Sequence, residues 1–250
     1  MPNRVFVVGV GMTRFCKPNK APGHPKFRAD APDFPEFAKT AVGRALADAG
    51  VGYSNIEAAV VGSAFSTGMG QRCLYEMGMT GIPIFNVANA CATGSNALYM
   101  CRSFVAGGQH DCCLALGIEI MKPGPLGSSD ATKGPKGPPK AGMMDGAVAA
   151  MQTKFPIVRA PLNPQMFGNA GREHMARFGS KPTHFAAVGE KNHRHSANNP
   201  YSQFRDVYTR AQIEGSRMIH SPIRSTIEIC RTLAMARSMS ARSGGRAMRA

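Results

Sequence analysis

The stretch Ile82–Met100, "IPIFNVANACATGSNALYM", decides the fold. Its first half, Ile82 to Asn89, is an apolar run with β-branched residues, the pattern of a buried strand. Its second half opens a small-residue helix that the sequence carries from Ala92 to Ala106. Cys91 stands at the junction, flanked by Ala90, Ala92 and Gly94. A helix start offers a thiol unpaired N–H groups and a partial positive charge, and both favour the thiolate. The same N–H groups can receive an oxyanion. The small neighbours leave room for an acyl group beside the sulfur. The residues alone leave a second reading open: a buried structural cysteine where a helix packs tightly on a sheet.

Similar units lie on either side. "RVFVVGVGMT", Arg4 to Thr13, reads as a strand ending in a glycine turn. Glu36 to Gly50 has apolar residues at Phe37, Ala41, Ala45 and Ala49 and at Ala38, Val42 and Leu46, a helical spacing with Gly50 suited to the C-cap. Ala58 to Phe65 reads as a second strand, Gly70 to Met79 as a short helix and Cys112 to Met121 as a fourth strand. Strands alternating with helices at this spacing predict an α/β fold of parallel βαβ units.

The character then changes. Lys122 to Gly142, "KPGPLGSSDATKGPKGPPKAG", is rich in Gly, Pro and Lys and reads as a long loop. Residues 143–221 return to mixed helical and loop sequence with more His, Asn and Arg. From Pro222 the composition becomes Arg, Ser, Ala and Met without an evident strand. The expected organisation is a core over 1–121, a second domain over 122–221 and a basic tail over 222–250.

The formal charge is +15, and 222–250 holds six arginines against one glutamate. The remaining basic residues are spread, with some clustering in 172–194, and no nucleic-acid-binding signature or aromatic platform accompanies them. A solvated surface with some attraction for a phosphate-bearing ligand is expected, not a nucleic-acid protein. No run of about 18 apolar residues predicts a membrane span. The seven cysteines form no C-x-x-C pair, so reduced thiols in an intracellular compartment are expected rather than structural zinc or disulfides.

"RVFVVGVGMTRF", "GQRCLYEMGMTGIPIFNVANACATGSNALYM", "LALGIEIM", "APLNPQMFGNAGREHMARFG" and "KNHRHSANNPYSQF" together resemble the thiolase superfamily. Within it the likeness is to the sterol-carrier-protein-X type thiolases, which are 3-oxoacyl- or propanoyl-coenzyme A acyltransferases. The resemblance runs from residue 1 to about 221. It implies the first half of a thiolase fold, a parallel-dominated sheet with helices, followed over 122–221 by the loop domain that covers the active site and holds coenzyme A. It gives Cys91, the cysteine of an N-x-C-A-T/S-G-S motif, the role of acyl-carrying nucleophile. It places Met166 and Phe167 near the acyl and pantetheine pocket.

Further expectations follow from the resemblance. Coenzyme A and acyl-coenzyme A are substrates, with no permanently bound cofactor and no metal. The full-length family forms homo-oligomers and is found in peroxisomes and mitochondria, although no targeting signal is evident here. The family's catalytic His motifs and second cysteine fall beyond Ala250, and 222–250 does not resemble the family. The expectation is therefore a truncated or frame-shifted reading frame, with acyl transfer incomplete in this chain. The alternative is a non-catalytic protein that binds acyl-coenzyme A or pairs with a thiolase subunit.

Several residues attract attention for weaker reasons. Gly23-His24-Pro25 and His110-Asp111-Cys112 look like catalytic triplets but stand in a Pro-rich insert and at a strand entry. His193 and His195 read as a capping or surface pair, and Asn86 and Asn89 as ties for the backbone around the cysteine. Arg172, Arg177 and Lys181 read as a solvated face that could also meet phosphates. Ser95 reads as a helix-start residue. No G-x-S-x-G elbow supports a serine hydrolase.

Overall fold

The computed structural model describes residues 3–15, 32–120, 145–158 and 160–225. The chain divides into two compact units, Met1–Pro123 and Gly124–Ala250.

The first unit is built on a three-stranded parallel sheet of β1 (Ala58–Gly62), β2 (Ile84–Val87) and β3 (Cys113–Gly117), in the order β2-β1-β3. Every residue of β1 is buried, as a central parallel strand with both faces covered requires. One face carries Ala59 and Val61 of β1 and packs with Phe34, Ala38 and Val42 of α1 (Phe34–Ala49) and with Cys73 and Leu74 of α2 (Met69–Leu74). The other carries Val60 and packs with Ala97 and Cys101 of α3 (Thr93–Ala106). This is the α/β architecture read from the sequence.

α1 starts two residues before the expected position. Asp33 accepts the Phe34 N–H, and Glu36 reaches back to the Asp33 N–H at 3.0 Å, closing a capping box. It ends at Gly50 in the left-handed conformation, φ 69°, as the sequence suggests. Arg72 of α2 adds an exposed ion pair to Asp33.

The expected strand over Arg4–Thr13 is not formed. The segment runs without strand pairing, and Phe6, Val7, Val8 and Val10 are all more than 60 % exposed. It is fastened to α1: the Val10 N–H donates to Asp48 Oδ2 at 2.9 Å, and Arg44 donates to the Met12 carbonyl at 2.6 Å. Gly9 and Gly11 lie so close to the α1 backbone that a Cβ at Gly11 would sit 2.5 Å from the Ala45 nitrogen. A β-branched run favours such a strand but does not supply a neighbour with free hydrogen-bonding groups.

The second unit is mainly helical: α4 (Asp145–Gln152), α5 (Leu162–Phe178), α6 (Pro182–Ala197) and α7 (Arg210–Gly215). A short antiparallel pair, β4 (Met218–His220) with β5 (Ile223–Arg224), follows. Phe185, Ala186 and Ile213 form its apolar centre with Met175 and Tyr208 against them. The β4–β5 pair corrects the expectation of no strand from Pro222. Ile223 is fully buried, Arg224 donates to the Ser216 carbonyl at 2.5 Å, and Pro222 lies over Gly171, which has no Cβ to collide with it. The loop expected over 122–142 and the tail from residue 226 lie outside the described residues.

α5 carries a buried polar row. Gln165 locks the preceding segment by accepting the Val158 N–H and donating to the carbonyls of Val158 and Ala160, at 2.6–2.9 Å. One turn on, Asn169 Oδ1 stands 2.9 Å from His220 Nε2 and accepts from Arg172 at 3.3 Å. Burial, and then the Arg172 charge, lower the His220 pKa below its ordinary 6.5. The sign of the consequence is fixed. Between the lowered folded value and the unfolded one, the unfolded chain binds more protons, so stability rises with pH across that window and is lost as pH falls through it. Urea melts at pH 7.5 and pH 5 are expected to show this loss in the native chain and a smaller loss in His220→Gln.

Candidate active site

The three parallel strands end together. β1 closes at Gly62, aligned with Val87 of β2 and Gly117 of β3. Ligands of open parallel α/β sheets bind beyond the carboxyl ends of the strands. That end is also where the chain leaves β2, passes Ala88 and Asn89, makes a 3-10 turn over Ala90–Ala92 and enters α3. Cys91 is the middle residue of that turn and is exposed. The structure therefore removes the buried-cysteine reading.

Three features shape the turn. Ala90 has φ 46°, the one non-glycine positive φ among the described residues. The Thr93 hydroxyl accepts the Asn89 N–H and donates to the Ala90 carbonyl, each at 2.7 Å. Ala92, at the N-cap of α3, supplies no side-chain cap, and the Thr93 N–H donates to the Ala90 carbonyl. Gly62 and Gly117 form the seat beneath. A Cβ on Gly62 would meet Thr93 Cγ2 at 2.6 Å, and one on Gly117 would meet Gly94 Cα at 3.4 Å.

Polar side chains hold the neighbouring loops. Asn86 accepts the Gly70 N–H at 2.7 Å and donates to Gln71 at 2.7 Å, so its side chain ties α2 to the strand end and not, as expected, the backbone around Cys91. Asn89 contributes through its backbone. Glu119, which the sequence reading missed, accepts from the Ser63 hydroxyl and from the N–H groups of Ala64 and Phe65 at 2.9–3.0 Å, fixing the loop that leaves β1. Ser95 is exposed in the first turn of α3.

The other described cysteines differ from Cys91 in being buried or half-buried. Burial pushes the Cys73 thiol up to about 11 and the Cys101 thiol up to about 12, and it also raises Cys112 and Cys113. They stay protonated at neutral pH, and the protonated thiol is a poor nucleophile.

The remaining candidates separate clearly. His110 and Asp111 precede β3 and so lie at the amino end of the sheet, opposite Cys91; the Asp111 N–H and the His110 ring both face Glu57. Gly23-His24-Pro25 lies outside the described residues. Among the described residues no group of three His, Cys, Asp or Glu could hold a metal ion, and no helix is long and apolar enough to cross a membrane.

Met166 and Phe167 stand in the second unit, half-buried in the early part of α5. His193 is not a surface group: it is buried, 3.2 Å from the Asp206 carbonyl and edge-on to Tyr208, while His195 is exposed. Arg172 is not part of a free cationic face either, since its guanidinium lies 4.3 Å over the Phe155 ring and donates to Asn169.

The family model of the thiolase N-terminal domain matches residues 5–219. The chain belongs to the thiolase family. It is 48% identical to chicken sterol carrier protein 2 over 223 residues, which cover 88% of this chain and 38% of that protein. It is 43% identical to the Caenorhabditis elegans non-specific lipid-transfer protein-like 2, covering 87% of this chain and 50% of that one. The benzoylsuccinyl-CoA thiolase subunit BbsB of Thauera aromatica is 26% identical over 92% of the chain. A solved structure titled Ltp2-ChsH2(DUF35) aldolase shares the fold, with TM-score 0.60 and 19% identity over 88% of this chain and 50% of that one. The chain thus spans between about two fifths and one half of the length of these relatives.

Proposed function

We propose that this thiolase-family chain carries the acyl-accepting part of a 3-oxoacyl-coenzyme A acyltransferase, with Cys91 as the nucleophile. The observation that carries the reading is the exposed thiol on a shaped turn between the carboxyl end of a parallel sheet and a helix start without a side-chain cap. Family membership over residues 5–219 supports the same reaction class.

In this reaction the Cys91 thiolate attacks C3 of a 3-oxoacyl-coenzyme A. The new sulfur–carbon bond forms as the C3 carbonyl pair moves onto oxygen; the oxyanion then collapses, the C2–C3 bond breaks, and its electron pair leaves on the enolate of acetyl- or propanoyl-coenzyme A, which takes a proton. The thiol of free coenzyme A then attacks the acyl-cysteine, carries the acyl group away and returns the Cys91 thiol. Covalent capture divides one hard step into two easier ones. The partial positive charge at the start of α3 favours the oxyanion at the attacked carbon. Coenzyme A acts as substrate throughout, and Met166 and Phe167 are proposed to line its acyl and pantetheine path.

Incubation with acetyl-coenzyme A followed by intact-mass measurement tests the proposal. A single acetyl adduct is expected. Saturable binding of acyl-coenzyme A without any adduct would replace it with the non-catalytic reading, a binding or subunit-pairing member of the family.

A further inference from the structure

We propose that Thr93 is the positioning residue of this site, and that its hydroxyl, rather than the size of its side chain, sets the reactivity of Cys91; the proposal rests on the reading of Cys91 as the nucleophile. Ala90 is held at φ 46°, a conformation in which its Cβ crowds the following carbonyl oxygen. Something must hold it there. Backbone bonds contribute, from the Ala92 N–H to the Asn89 carbonyl at 2.9 Å and from the Thr93 N–H to the Ala90 carbonyl, and the one side chain that ties both sides is Thr93, its hydroxyl 2.7 Å from the Asn89 N–H it accepts and 2.7 Å from the Ala90 carbonyl it donates to.

The second bond has a direct consequence for Cys91. The Ala90 carbonyl and the Cys91 N–H belong to one planar trans peptide, so aiming the carbonyl at Thr93 aims the Cys91 N–H the opposite way. That plane sets where the Cys91 N–H and Cα lie, the base from which its thiol is carried. Thr93 itself cannot drift. It is only 5 % exposed, and its γ-methyl sits in the space that Gly62 leaves by having no Cβ. The two branches of one side chain thus do separate work: the methyl fills the seat on β1, and the hydroxyl sets the turn.

Two substitutions separate them in the full chain. Thr93→Val keeps the volume and removes the hydroxyl; Thr93→Ser keeps the hydroxyl and removes the methyl. The readouts are the iodoacetamide alkylation rate at Cys91, followed by peptide mass spectrometry, and the melting temperature. Thr93→Val is expected to slow Cys91 alkylation by about tenfold, because the thiol leaves its place at the helix start. Thr93→Ser is expected to stay within about twofold of the native rate while melting lower, since it loses the buried methyl but not the turn. Native-like alkylation in Thr93→Val, or equal slowing in both variants, would overturn the proposal. Acetyl-coenzyme A capture by the native chain is scored separately. Its failure beside the expected alkylation pattern would sink the acyltransferase reading and leave the role of Thr93 standing.

Discussion

Cys91→Ala is expected to abolish acyl capture from acetyl-coenzyme A, with no other described cysteine taking over. Cys73 and Cys101 sit in the two apolar layers beside β1, and burial raises both thiols to about 11 and about 12. Cys112 and Cys113 are raised for the same reason. At pH 7.5 a thiol of pKa about 11 is ionised in roughly one molecule in a few thousand, so its attack on a thioester is negligible on the timescale of the measurement. Cys91 is exposed and placed where the sheet ends and α3 begins. Cys91→Ser is expected to fail as well, because a serine hydroxyl without an activating base is far less nucleophilic than a thiolate. Intact-mass spectra of the native chain and the two variants check this, with Cys73→Ser as the control expected to keep the adduct.

Gly62→Val is expected to destabilise the first unit by about 2–3 kcal/mol, in the upper range for overpacked cores. Gly62 ends the central strand, with Val87 and Gly117 beside it and Thr93 across from it. A Cβ there would lie 2.6 Å from Thr93 Cγ2 and 3.1 Å from the Thr93 carbonyl oxygen. The methyl could turn away, but the carbonyl belongs to α3, and β1 is buried along its whole length and cannot retreat. Relief has to come from displacing the start of α3, and Cys91 goes with it. The variant is therefore expected to slow Cys91 alkylation as well as to lose stability. Gly43 gives the contrast. It lies within α1 with nothing near its absent Cβ, so Gly43→Ala is expected to be neutral or to stabilise by about 0.5–1 kcal/mol. Chemical denaturation of both variants checks the pair.

Much of this architecture is legible in the sequence where local chemistry and tertiary packing agree. α1 can be read from its apolar spacing and from Gly50, and β1 from an unbroken apolar run that only a doubly covered strand would use. The strands are shorter than their apolar runs because pairing stops where the loops at the carboxyl end begin, at Gly62, Val87 and Gly117. Arg4–Thr13 shows the limit of such reading. Its composition fits a strand, yet pairing depends on a neighbour that no local pattern encodes.

The site was half legible. A lone cysteine between an apolar run and a small-residue helix points to the junction, and the structure adds that the thiol is exposed there. Thr93 was available as a signal, since a threonine at a helix start commonly bonds back to the preceding backbone. Its partner Gly62 was not, because nothing in a strand sequence says which glycine a helix will touch. Arg172 and His193 misled for a shared reason: a cation or an imidazole looks like a surface group until an aromatic ring or a carbonyl is found beside it. Here those are Phe155 for Arg172, and Tyr208 with the Asp206 carbonyl for His193.

The most direct test is thiol-by-thiol protection. The chain is incubated with acetyl-coenzyme A, then alkylated with iodoacetamide, digested, and each cysteine peptide quantified. Acetyl transfer found on the Cys91 peptide, with alkylation blocked there and unchanged at Cys73, Cys101, Cys112 and Cys113, is the result expected if Cys91 carries the acyl group. Full alkylation of Cys91 in the presence of saturating acetyl-coenzyme A, or acetyl groups on the other cysteines instead, would contradict it.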